Sequence, residues 1–324
     1  MIRALVSMSA ALNTLLRKRA ELLVIARLFF ATRGVLEVNT PVLAPAGSTD
    51  PLLDSFTTQL NGGSAPSQYL YLQTSPEFYM KRLLAAGSGA IYQLVPCFRN
   101  GELSQRHNPE FLMLEWYRPA WTLAELETEC CALVDDLLGA APYTRLTYKQ
   151  AFIDFVGLDP FAASQENLRQ ACVACSGIAA EQLDRDGCLD LLLSHKLEPA
   201  LKNLGRVIVY EFPASQAALA KIHQDKSGNK VASRFELYVD GLELANAYEE
   251  LTAATEQAAR FAADNQQRLA LGKPEVVVDV KLLKALQQGL PECSGIALGF
   301  DRLIMLACGA ASLDDVQTFS AYRW

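Results

Sequence analysis

Residues 98–117 read FRNGELSQRHNPEFLMLEWY, Phe98 to Tyr117. Two short apolar runs, Ala90–Arg99 and Glu110–Tyr117, flank a polar loop that holds Asn100, Gly101, Asn108 and Pro109, which is the pattern of a long-looped β-hairpin. Alternation then sorts the side chains: Gln93, Cys97 and Arg99 share one face of the first strand, and Phe111, Met113, Glu115 and Tyr117 share one face of the second. An arginine at a strand end beside a glutamate and a tyrosine suits a site that binds a phosphate and an ammonium side by side. An edge hairpin with a surface ion pair would carry the same pattern.

Outward from this hairpin, three stretches show comparable chemistry. Thr74–Glu77 is TSPE, with Ser75 as a helix cap and Glu77 in the first helical turn, a position that serves capping or a ligand equally well. Asp240-Gly241 is a two-residue hairpin turn, so Val239 is expected to pair with Leu242, Tyr238 with Glu243, and Glu236 with Ala245. Glu236 and Glu243 then become diagonal neighbours about 7–8 Å apart, where like charges repel unless both face water or a cation sits between them. Arg302 falls in the first turn of the Phe300–Cys308 helix, where a cation opposes the helix dipole and an anionic ligand would compensate.

The run FR…HNPEF…LEWY resembles motif 2 of the class II aminoacyl-tRNA synthetases, in the lysyl subgroup. GVLEVNTPVL, Gly34–Leu43, is similar to motif 1, and GIALGFDRLIML, Gly295–Leu306, is similar to motif 3. With TSPE and GLELANAYEEL, Gly241–Leu251, the likeness covers nearly the whole chain. It implies an α+β fold: the class II synthetase catalytic fold, an antiparallel β-sheet flanked by helices. Residues 1–324 would be a single catalytic domain with a helical insertion at about 160–204 and without the N-terminal anticodon-binding OB domain. By the same resemblance Arg99 and Arg302 are catalytic, holding the α- and γ-phosphates of ATP. Asn100, Glu102, His107, Phe111, Glu243, Leu244 and Gly299 complete the ATP site. Glu236 and Glu243 would hold Mg2+, and Ser75, Glu77, Glu115, Tyr117, Asn246, Glu250 and Ala297 would surround the amino acid. A pocket with so many acceptors suits a doubly cationic amino acid such as lysine.

Two departures narrow the resemblance. The acidic residue usual two places after the motif 2 arginine is Gly101 here, with Glu102 beside it, and Ala297 stands where lysyl synthetases carry glycine. Together with the missing tRNA-binding domain, these point to the truncated branch of the lysyl subgroup that attaches (R)-β-lysine to a lysine of bacterial elongation factor P. Elongation factor P is thus the expected protein partner and the two-fold dimer of motif 1 the expected assembly. A minimal lysyl-tRNA synthetase-like enzyme acting on L-lysine is the alternative.

Composition agrees. A chain of 324 residues, 51% hydrophobic and 20% charged, can bury a large core, and its net charge of −7 demotes tRNA as a substrate. Eight scattered cysteines suggest a reducing compartment, hence the cytoplasm, and the lone Cys172/Cys175 pair reads as packing rather than a zinc site. No apolar run reaches the ~18 residues of a membrane span. The faintly signal-like start, Met1–Leu16, runs into Arg17, Lys18 and Arg19 where a cleavage site should stand.

Overall fold

The structure, a computed structural model, describes residues 9–62, 68–177 and 179–323. Residues 1–8 of the Met1–Leu16 run, and residues 63–67 of the polar loop Asn61–Gln68, lie outside the described residues.

Eight strands form the central sheet: β1 (Leu36–Glu37), β2 (Ile91–Phe98), β3 (Glu110–Pro119), β4 (Tyr143–Thr147), β5 (Arg206–Tyr210), β6 (Arg234–Val239), β7 (Leu242–Glu249) and β8 (Cys293–Gly299). Their spatial order is β1-β2-β3-β8-β7-β6-β5-β4. The six inner strands are antiparallel, as expected, but β1 joins β2 and β4 joins β5 in parallel, so the sheet is mixed at its edges. β4 was not anticipated; its Tyr-Thr-Arg-Leu-Thr run lies in a stretch that reads as turns and helix, and only the distant partner β5 makes it a strand.

Alternation gives the sheet two unlike faces. Leu114, Trp116, Phe235, Leu237, Ala245, Ala247, Ile296 and Leu298 point into the main core. That core is closed by α1 (Ser9–Thr32), α3 (Leu123–Leu138) and α9 (Phe300–Ala307), through Leu22, Ala26, Phe30, Leu133, Leu303 and Ile304. Helix α3 starts at a full capping box, Thr122 with Glu125, which satisfies two orphan N–H donors.

The opposite face is covered only at its two ends. At one, α2 (Glu77–Ala85), α7 (Ala254–Ala270) and α8 (Val280–Gly289) pack Met80, Leu84, Phe261, Leu282 and Leu286 on Ile91 and Cys293. At the other, α4 (Tyr148–Phe155), α5 (Gln165–Ser176) and α6 (Arg185–Leu192) bury Phe152, Leu168 and Leu189 against Val207, Val209 and Tyr238. Between these two covers the middle strands are left open. A cavity of about 930 Å³ lies there.

The β6–β7 hairpin turns at Asp240-Gly241, where both φ angles are positive and a Cβ on Gly241 would strike the carbonyl of Glu198. Val239 pairs with Leu242 and Tyr238 with Glu243, but Leu237 pairs with Ala245 and Glu236 with Asn246. The expected Glu236–Ala245 pairing is therefore wrong. Leu244 is an extra residue, a β-bulge that resets the alternation of β7. Without it Glu243 and Asn246 would point to opposite faces; with it both face the cavity side.

Candidate active site

The cavity floor is built from β3, β8 and β7, and its two ends differ in charge. At one end stand the cations. Arg99, one residue past β2, lies 3.8 Å from Glu102 in the hairpin loop, its guanidinium 5.1 Å from the Phe111 ring centre. Its Nε is buried without a hydrogen-bond partner, the state of a donor waiting for an acceptor. Arg302 leaves the first turn of α9 and donates to the carbonyl of Glu243 at 2.7 Å and to His107 Nε2 at 2.8 Å. Since Arg302 is a donor only, His107 Nε2 accepts, which makes Nδ1 the protonated nitrogen, and it donates to Ser104 Oγ at 2.9 Å. Burial and the neighbouring Arg302 charge hold His107 below its ordinary pKa, so the ring is neutral at pH 7.

At the other end stand the carboxylates. Glu115 on β3 is 2% exposed and accepts from Ser75 Oγ and from Tyr117 Oη, both at 2.7 Å. Glu250, just past β7, is 1% exposed, and Glu77 lies at the start of α2. Burial, then repulsion from Glu77, pushes Glu115 above the usual carboxylate range, and burial does the same to Glu250. Asn246 is fixed between these ends: its Oδ1 accepts from Arg234 Nε at 3.1 Å and its Nδ2 donates to Tyr248 Oη at 3.1 Å. Ala297 sits opposite both Glu115 and Asn246 in register. On the same strand Gly295 faces Tyr117 and Glu250 so closely that a Cβ there would overlap both.

Of the residues singled out from sequence, Ser75, Glu77, Arg99, Glu102, His107, Phe111, Glu115, Tyr117, Glu243, Leu244, Asn246, Glu250, Ala297, Gly299 and Arg302 all line this one cavity. Asn100 does not: it is exposed and its backbone N–H bonds to Asp54. Glu236 stands behind the wall, buried and bonded to Arg234 and Tyr238. Gly101 takes a positive φ, which its acidic counterpart in the resemblance would adopt only at a cost.

Sequence reasoning missed several groups. Arg234 is half-buried and links Glu236, Asn246 and the carbonyl of Gln216. Lys81, 1% exposed, lies between Glu77 and Glu250. Glu198, from the stretch 160–204, is pushed up to about 7 by burial and by the nearby charges of Glu243 and Glu236, and its carboxylate lies 3.6 Å from Arg106. Leu183, Asp184, Asp186 and Asp190 of the same stretch form part of the cavity wall. An i, i+4 Glu-Lys pair was the only signal that could have flagged Lys81.

The described residues contain no group of three or more His, Cys, Asp or Glu side chains placed to hold a metal by themselves. Glu198, Glu236 and Glu243 nonetheless repel one another. A divalent cation that draws its remaining ligands from phosphate and water would fit such a donor set.

The family model for the class II tRNA synthetases (D, K and N) matches residues 2–323. The chain belongs to the class II tRNA synthetases. Curated relatives similar to this member of the family include proteins named "Elongation factor P--(R)-beta-lysine ligase". The Photorhabdus laumondii protein is 50% identical over 315 residues, 96% of this chain and 96% of that relative. Those of Proteus mirabilis and Salmonella typhi are each 48% identical over 318 residues, 97% of both chains.

Proposed function

We propose that the protein is an ATP-dependent ligase that activates (R)-β-lysine as its adenylate and transfers it to a lysine of elongation factor P. The observation that carries this reading is the polarity of one cavity: Arg99 and Arg302 at one end, Glu77, Glu115 and Glu250 at the other. An amino acid with two ammonium groups and one carboxylate fits it in a single direction, carboxylate toward the arginines. The name shared by relatives that match end to end supplies the acceptor.

In the first step a carboxylate oxygen of the amino acid attacks the α-phosphorus of ATP, and the bond to the β-phosphate oxygen breaks, releasing pyrophosphate. The attacking oxygen is already ionised, so no general base is required. Arg99 and Arg302 hold the phosphates and offset the charge that develops on them, and Glu115, Tyr117 and Glu250 fix the amine end, so positioning and charge stabilisation supply the rate. Glu243, which faces the cavity, would hold magnesium, joined by Glu236 once that carboxylate gives up Arg234 or Tyr238, and the ion would neutralise phosphate oxygens when bound. In the second step the neutral amine of the acceptor lysine attacks the acyl carbon, AMP leaves, and the amine gives up a proton to solvent.

The same reading makes the protein a cytoplasmic homodimer whose residues 160–204 are a helical insertion in a single catalytic domain. Free thiols throughout support the compartment. For the dimer, α1 exposes Val24 and Leu28 and the motif 1 strand β1 exposes Leu36, each more than half accessible. Among the described residues no helix is long and apolar enough to cross a membrane.

The deciding experiment incubates the purified chain with ATP and (R)-β-lysine or L-α-lysine, and with either purified elongation factor P or total tRNA. Intact-mass analysis is expected to show elongation factor P heavier by one lysyl residue, with (R)-β-lysine preferred. Acid-precipitable aminoacyl-tRNA without any mass gain on the protein would establish the synthetase-like alternative instead.

A further inference from the structure

Lys81 is the fully buried cation of the amine end, yet it does not line the cavity. It projects from α2 one turn after Glu77, and its Nζ lies 2.6 Å from Glu77 Oε1 and 2.6 Å from Glu250 Oε2. Those two oxygens have no other hydrogen-bond partner. The second oxygen of Glu250 looks the other way, toward Gly295 and the cavity. Lys81 therefore stands behind the carboxylates, taking one oxygen of each and leaving the other to a ligand.

From this geometry we infer that Lys81 is a positioning residue that sets the amine end to two negative charges, the complement of a substrate carrying two ammonium groups. Three carboxylates, Glu77, Glu115 and Glu250, face one another across α2, β3 and the end of β7. Against a single ammonium they leave a formal charge of −2. The other titratable groups that look into the cluster include Cys97 on β2, Tyr117 on β3, Tyr248 on β7 and Cys293 on β8, all kept neutral by burial. Burial alone would depress the Lys81 pKa, but Glu250 and Glu77 lift it above its ordinary value, so it stays charged at any working pH. Without Lys81 the three carboxylates would hold protons more tightly than burial already makes Glu115 and Glu250 do, and the substrate would have to displace them. The inference rests on the functional reading above and names a determinant of its substrate class.

The test uses the full chain with Lys81→Met, Lys81→Arg and the double variant Lys81→Met/Glu77→Gln, read by ATP–pyrophosphate exchange from pH 6.5 to 9. For Lys81→Met the KM of the diamino acid is expected to rise at least about tenfold at pH 7.5, the scale of stranding a buried charge, with the KM for ATP unchanged. The acid limb of amino-acid binding should move to higher pH, because a carboxylate that has lost its cation holds its proton longer. Lys81→Arg keeps the charge and should keep the pH profile. The double variant restores −2 but gives up the Glu77 contact, so its acid limb should return to the wild-type position whatever its affinity, and it carries the test should Lys81→Met fail to fold. A diamine KM and acid limb that stay at wild-type values in Lys81→Met, or a double variant whose acid limb stays displaced as in Lys81→Met, would overturn the inference. A wild-type chain that activates neither lysine isomer would overturn the functional reading, and this inference with it.

Discussion

Gly295→Ala tests the geometry of the amine end with a single methyl group. Gly295 lies on β8 directly opposite Tyr117 on β3 and Tyr248 on β7, so its missing side chain is the space that the Tyr117 ring crosses. A Cβ built there stands 2.5 Å from Tyr117 Cδ1 and nearer still to Cε1 and to Glu250 Oε1. Carbon contacts settle at about 3.5–4 Å, so the neighbours must retreat by roughly 1 Å. Neither can do so freely: Tyr117 is tied to Glu115 through its hydroxyl, and Glu250 to Lys81. Overpacking of this kind costs about 1–3 kcal/mol. With an unfolding entropy of about 2.1 cal/mol/K per residue, a chain of this length loses roughly 1.5 °C of Tm per kcal/mol, a drop of about 1.5–4.5 °C in all. Function should suffer more. Displacing one charge-assisted acceptor from the substrate forfeits about 1.5–3 kcal/mol, a rise of about 10- to 100-fold in the amino-acid KM. The KM for ATP should hold, since Arg99 and Arg302 lie at the other end. The assay is ATP–pyrophosphate exchange with each substrate varied in turn, beside a thermal melt. An unchanged amino-acid KM would refute the reasoning, whatever the melt shows.

Three further outcomes are expected. Burial lifts Glu115 and Glu250 above the ordinary carboxylate pKa, so the empty fold binds their protons more tightly than the unfolded chain and loses stability as pH rises through their folded values. A bound diamine needs them ionised, so the Tm increase caused by (R)-β-lysine should grow from pH 6 to 8.5 in differential scanning fluorimetry. His107 must be neutral to accept from Arg302, so the KM for ATP should be flat down to about pH 6.5 and rise as pH falls through its depressed pKa, a limb that His107→Gln should abolish. Arg118→Met strands the buried Glu129, which now receives Arg118 Nε at 2.9 Å and Trp116 Nε1 at 3.1 Å, and should cost about 3–5 kcal/mol in denaturant melts while leaving both KM values alone.

Where a functional side chain obeys a local period, sequence alone could place it. Glu115 and Tyr117 follow strand alternation, and Arg302 follows a helix start. The Asp240-Gly241 turn fixed its two nearest pairs, but no glycine or proline announces the bulge at Leu244. That residue reads as one more apolar position and is extra only because Leu242, Leu244, Ala245 and Ala247 all find room in the main core. Lys81 was hidden for a related reason. In Met-Lys-Arg-Leu-Leu a lysine reads as the solvated face of a helix, and only the arrival of Glu250 from a strand 169 positions away turns that face inward. The stretch 160–204 was opaque because its leucines and acids alternate without a dominant face. Its place against Val207, Val209 and Tyr238, and its aspartates in the cavity wall, are tertiary facts.

The cavity's two charged ends also bear on which lysine isomer fits. L-α-lysine and (R)-β-lysine carry the same charges, so an electrostatic cluster built for two ammonium groups favours both over any monoamine but has little means of telling them apart. Discrimination must come from shape along the line that joins the arginines to the carboxylates. Two residues of β8 control that line on the cavity floor: Gly295, where no side chain is tolerated, and Ala297, whose methyl lies between Glu115 and Asn246 in register. On the proposed reading, a methyl at 297 would narrow the floor beside the amine nearest the reacting carboxylate, which is the amine that moves one carbon along the chain between the two isomers. Charge would then select the class of substrate, and a single methyl on one strand would be left to select the isomer.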